Sequence, residues 1–200
     1  MRLLDGFKFG MLLQLAVGPM CLLVFNTASQ QGLLSGIILM SSIALVDALF
    51  ILLAILGVTK ILSKTKVTAI VKTIGAIVLI LFGINTLLGT FETSASEPTI
   101  FNDYIFLQGL ILTLSNPLTI VFWGGVFTTK LSEGNWTKKE LIPFSIGCFF
   151  ATVFFLSLVA FIGNQVGVFL PTTLIKLLNV FVGIVIIGFG VKMILTINKS

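Results

Sequence analysis

Asp47 is the one acid set deep inside an apolar run, in the middle of SSIALVDALFILLAILG. A charged carboxyl at the centre of a membrane helix costs roughly 2.5–3.5 kcal/mol on insertion scales, so it must face a bundle interior or a watery cavity. There it could pair with an ammonium group, carry a proton, or tie helices together through Ser42, Thr152 or Asn85. Two further places could do chemistry with backbone rather than side chains. Gly18-Pro19 and Asn116-Pro117 each interrupt an apolar segment long enough to be a helix. Proline has no N–H, so Pro19 leaves the carbonyl of Leu15 without its helical partner and Pro117 does the same to Thr113. In hydrocarbon such groups must be satisfied by protein, water or a ligand. Asn116-Pro117 reads as an N-cap followed by a first-turn proline, the pattern of a helix that restarts, and Gly18-Pro19 is a weaker version of it. A restarted helix offers free N–H groups and a positive dipole end, the elements of a site for a carboxylate. Gln14, Thr113 and Ser115 lie within about a turn of these breaks and could line the same path; as polar residues in membrane helices they could equally serve as interhelical glue.

The elements that must position these residues are membrane helices. The 200 residues are 57% hydrophobic and 10% charged, with a mean hydropathy of +1.18, a composition suited to lipid. Apolar runs and their breaks place six spans near residues 10–25, 33–57, 67–88, 104–128, 141–164 and 173–197. The turn-forming stretches NTASQQG, SASEP, SEGN and GNQVG follow the first, third, fourth and fifth of them. Arg2 and Lys8 ahead of the first apolar stretch imitate a secretory signal, but no small-x-small cleavage pattern follows, and the segment reads as the first span. Trp123 reads as core filler and Trp136 as an interface anchor.

The net charge of +5 does not point to nucleic acid, because the basic residues are scattered between apolar runs rather than gathered on one face. With six spans, every one of the 12 basic residues except Lys176 falls on the side of the two termini. The positive-inside rule therefore puts both termini in the cytoplasm, with the acidic linker 92–102 and Asp103 outside. Lys72, Lys176 and Lys192 lie just within span ends, where their stems can snorkel to the interface. No histidine is present, which excludes histidine metal sites and imidazole relays. Cys21 and Cys148 both fall inside spans and read as small apolar residues. Nothing in the chain calls for a cofactor or suggests an enzyme.

The two halves repeat in order. Gly18-Pro19 answers Asn116-Pro117, ILG ending at Gly57 answers FIG ending at Gly163, and Lys72 answers Lys176. Each half holds three spans, so the second must enter the membrane inverted, which also explains Lys176 as the external image of Lys72. The expected architecture is all-α: six transmembrane helices in two inverted three-helix repeats, about 7–91 and 103–197, forming one domain. Inverted repeats with matching interruptions near the midplane are the plan of many secondary transporters.

The series VGPMCLLVF, QQGLLSG, VDALFILLAILG and SNPLTIVFWGGVF resembles the LysE family of small bacterial amino-acid exporters, over nearly the whole chain. The resemblance implies efflux of amino acids or related small metabolites across a bacterial inner membrane, driven by a proton or other ion gradient. It maps the family's proline motif onto Gly18 and Pro19, its Asn-Pro onto Asn116 and Pro117, and its second-span acid onto Asp47. Val17 stands where many members have a further proline, and NTASQQG lacks the basic residue that many carry. The expected partners are a small zwitterionic solute, the lipid bilayer and a coupling proton or ion, with homodimerisation left open. Two other readings compete: export of an inorganic or divalent metal ion, for which one buried carboxylate is a poor ligand set, and a membrane thiol-disulfide carrier using Cys21 and Cys148.

Overall fold

The structure, a computed structural model, describes residues 2–14, 19–56, 65–91, 104–115, 123, 126 and 137–195. Among these residues the fold is all-helical, with α1 (Arg2–Gln14), α2 (Pro19–Gln31), α3 (Leu33–Ile55), α4 (Thr65–Phe91), α5 (Ile105–Leu114), α6 (Lys138–Phe169) and α7 (Thr172–Leu195). By length and composition α3, α6 and α7 can each cross a membrane. Large apolar side chains such as Phe150, Phe154, Phe161 and Leu177 point outward, as they must when the surrounding solvent is lipid. The molecule is a multi-pass membrane protein.

The 32-residue α6 is the mast of the bundle. It opens with a reciprocal cap: the Thr137 backbone N–H and hydroxyl both donate to Glu140 Oε2, at 2.8 and 3.0 Å. The other oxygen of Glu140 accepts from the Arg2 guanidinium at 3.2 Å, which fastens the start of α1 to the start of α6. From there the two helices run parallel in one register. Arg2 meets Glu140 and Gln14 meets Thr152, both 138 residues apart. Gly6 against the Phe144 backbone and Gly10 against Cys148 repeat that spacing between them. Gly163 against Phe25 and Gly167 against Ser29 continue it along α2. The separation is the same on either side of residues 15–18, so α2 resumes the axial register of α1.

This register corrects two expected loops. NTASQQG is not a connection: α2 continues to Gln31 with Asn26, Thr27 and Ala28 buried. GNQVG likewise lies within α6, which runs to Phe169. The glycines read as turn formers at 163 and 167 instead let the backbones of α2 and α6 approach closely, the usual use of small residues between membrane helices. SASEP, SEGN and Trp136 lie outside the described residues.

The true turn between α2 and α3 is one residue, Gly32, at φ 88° and ψ 170°. Only glycine adopts this region without strain. Its N–H donates to the Ala28 carbonyl at 3.1 Å, and its own carbonyl accepts from the Gly36 N–H at 3.3 Å. The chain therefore reverses with no loose backbone.

α3 then runs back along α6. Gly36 packs on Ala28 and Ala160, while Val46, Phe50 and Ala54 share a core with Leu141, Phe144 and Cys148. α4 and α7 pair antiparallel, with Gly83 on Gly183 and Ile187 and with Gly190 on Ala76 and Ile80.

Replacing Gly32 by Ala should destabilise the protein by roughly 1–3 kcal/mol through backbone strain alone, because the nearest atom to an added Cβ is 3.9 Å away. Gly188→Ala, on an open helical face with nothing within 4 Å, should cost no stability, since alanine is the better helix former. Thermal unfolding of both variants in one detergent measures the difference.

Candidate functional site

α1 ends at Gln14, and α2 begins with Pro19 as its first residue. A proline is favoured there because the first N–H of a helix has no intrahelical partner to lose. The second interrupted segment stops where expected: α5 ends at Leu114 with Ser115 as its cap, the Ser115 N–H donating to the Ile111 carbonyl at 2.9 Å. Gly18, Asn116 and Pro117 lie outside the described residues.

The two interrupted segments are neighbours. Thr113, in the last turn of α5, places Oγ1 3.9 Å from Met20 Sδ, in the first turn of α2. The same hydroxyl donates to the Gly109 carbonyl at 2.7 Å, so its single proton is committed and the sulfur is a packing contact. Gly109 in turn lies against Ser42 and Leu39 of α3. α3 and α5 run parallel: residues 39–44 share a core with Ile105 and Leu112, and residues 46–54 share one with Leu110, Trp123 and Val126. Trp123 is thus core filler, 5% exposed.

Asp47 occupies the level of both helix ends. It lies roughly 16 Å along α3 from Gly36 at 1.5 Å per residue, which brings it abreast of Phe149 on α6 and so of the last turn of α1. The parallel run of α3 and α5 brings it abreast of the last turn of α5 as well. That level is close to half-way along α6, the place a solute crossing a bilayer must pass. Asp47 is 9% exposed and has no hydrogen-bonding or charged partner among the described residues. Two of the three partners considered for a purely structural role have other bonds: Ser42 donates to the Leu39 carbonyl at 2.7 Å, and Thr152 accepts from Gln14 Nε2 at 2.7 Å.

Gln14 therefore does bridge helices, as the structural reading anticipated, and in doing so it fixes the end of α1 at this level. Thr113 is buried and Ser115 half-buried. Missed in the sequence were Met20, which joins the two segments, and Gly109, which brings α5 against α3; neither residue type is distinctive in an apolar helix. The cavities elsewhere, one between α4 and α5 and one between α2, α6 and α7, are lined almost wholly by aliphatic and phenyl groups.

The cysteines do not form a redox couple. The register along α6 sets Cys21 abreast of Val159, roughly 16 Å from Cys148, beyond the Cα separation of about 7 Å that a disulfide tolerates. Cys148 instead donates its thiol to the Gly6 carbonyl at 3.3 Å, a contact within the α1–α6 seam.

The sequence model of the LysE type translocators matches residues 11–196. No curated protein and no solved structure matches the chain.

Two outcomes check this geometry. Oxidation of the native protein with copper phenanthroline should leave both cysteines alkylatable after denaturation, as counted by mass spectrometry. A double-mutant cycle of Gln14→Leu and Thr152→Val should show a favourable coupling of about 0.5–1.5 kcal/mol in unfolding experiments.

Proposed function

The chain belongs to the LysE type translocator family, and from that premise we propose that it exports amino acids or similar small zwitterions from the cytoplasm of a bacterial cell, coupled to proton entry. The observation that carries this reading is the Thr113–Met20 contact, which gathers two interrupted helices beside a lone buried carboxyl. The N–H groups of the first turn of α2, starting at Met20, and those following Asn116-Pro117 would hold the solute's carboxylate through backbone dipoles. Asp47 would hold its ammonium group, or take a proton when the solute leaves. A site with one fixed negative charge and two positive helix ends matches a zwitterion, whereas a divalent metal ion needs several oxygen ligands.

The inverted-repeat architecture belongs to the same proposal: six spans in one domain, both termini cytoplasmic, with α1 and α2 together as the first span. Two contacts support it. Matching Pro19 to Pro117 and Gly57 to Gly163 carries the Gly10–Cys148 contact onto Gly109–Ser42 to within one residue. Matching Lys72 to Lys176 makes Gly83 and Ile187 images of each other, and these two residues touch, as a pair lying on a two-fold axis must. The Arg2–Glu140 ion pair sets the start of α1 beside the start of α6, the shared side that the positive-inside rule assigns to the cytoplasm.

Counterflow of a panel of amino acids in proteoliposomes tests the function. Asp47→Asn should lower exchange at least tenfold and Asp47→Glu should retain part of it. Undiminished exchange by Asp47→Asn would remove the carboxyl from the mechanism, and absence of counterflow for every amino acid by the wild type would remove the solute class.

A further inference from the structure

α7 is packed on α4 rather than on α6, which precedes it in sequence. Its glycine-lined seam with α4 is extensive, while among the described residues it touches α6 hardly at all. An open apolar groove of about 640 Å³, floored by Phe25, separates Val166 and Leu170 of α6 from Leu174, Leu178 and Phe181 of α7. α4 meets α5 thinly, beside an apolar cavity of about 290 Å³. Among the described residues the α4–α7 pair is therefore joined to the rest of the bundle mainly through α2.

A polar tie crosses that joint. Gln30 Nε2 donates to Asn179 Oδ1 at 2.6 Å, and Asn179 Nδ2 donates to Gln30 Oε1 at 3.1 Å, a closed amide pair at the exposed end of α2. One turn deeper on the same face of α2 sits Asn26, which is 6% exposed. Its side-chain oxygen has no hydrogen-bond partner. A buried amide oxygen left unsatisfied is costly, and natural structures rarely keep one without a use. The apolar groove and cavity that flank the pair present few interlocking side chains to resist axial sliding.

We propose that α7, with α4 on its back, slips by one helical turn along α2, carrying Asn179 from Gln30 to Asn26. The slip spans four residues of α2, about 6 Å, a one-turn ratchet of the kind by which packed helices switch between discrete states. In the slipped register Asn26 Oδ1 accepts from Asn179 Nδ2, and Gln30, already at the exposed end, is hydrated. The observed register pairs Gln30 and leaves Asn26 Oδ1 buried without a partner, whereas the slipped one pairs Asn26 and leaves Gln30 hydrated, so the cost of the orphaned amide offsets the packing that favours the observed state. Gln14, Asp47, Thr113 and Ser115 all belong to the body that stays. The α4–α7 pair is then the moving wall, whichever solute is carried.

The test uses the full-length protein in proteoliposomes, with Cys21 and Cys148 replaced by Ser. Gln30→Cys with Asn179→Cys reports the observed register, and Asn26→Cys with Asn179→Cys reports the slipped one, under copper phenanthroline. Both pairs should form disulfides, the second more slowly. A 30–179 disulfide that forms readily beside a 26–179 pair that stays reduced for hours, with both thiols reactive after denaturation, overturns the slip. Both pairs lack the Asn179 amide and so report the register alone. Neither readout depends on transport.

Discussion

Backbone in hydrocarbon must find hydrogen bonds, and this protein holds its first interrupted segment, α1 and α2, against a helix that is whole. α6 is continuous for 32 residues, and α1 and α2 lie along it in a single register on either side of residues 15–18. The constant 138-residue separation of Arg2–Glu140 and Gln14–Thr152, taken up again by glycine contacts along α2, makes α6 a template. The two segments are thereby kept from drifting apart, and the first turn of α2 is fixed at mid-height.

That constraint explains where the small residues fall. Hydrophobic exclusion does little to hold helices together in lipid, so close backbone approach and buried hydrogen bonds must do it. The glycines of α1, of α6 and of the α4–α7 seam face neighbouring backbones. The buried hydroxyls of Ser42, Thr113 and Ser145 fold back onto carbonyls of their own helices, at 2.7 Å each. Asp47, by contrast, is buried at the level of both helix ends and has no hydrogen-bonding partner among the described residues, as is also true of the side-chain oxygen of Asn26. An acid so placed in a membrane helix points to a functional role.

Much of this was legible in the chain. Apolar run length gave α3, α6 and α7 directly; the prolines placed the start of α2 and the end of α5; and the isolated acid announced itself. The errors came from reading Asn, Gln, Ser and Gly by their behaviour in water. In NTASQQG and GNQVG those residues look like turns. Opposite one another in lipid, Gly163 and Gly167 admit the backbone of α2, and Ser29 and Gln30 bond to the Asn26 carbonyl. Pairing across the bundle could not be read either, because the contacts that join the two interrupted segments run through Met20 and Gly109, whose types are common and whose partners are distant in sequence.

The central claim is that the helix ends beside Asp47 open onto the path of the cargo, and cysteine accessibility tests it most directly. In protein lacking Cys21 and Cys148, Met20→Cys and Thr113→Cys would be labelled singly with a small water-soluble thiol reagent in proteoliposomes. Both positions should react, and an exported amino acid should slow the labelling of both while leaving an outward-facing control such as Leu177→Cys unaffected. Positions that stay unreactive, or that react at one rate whatever amino acid is present, would contradict the account.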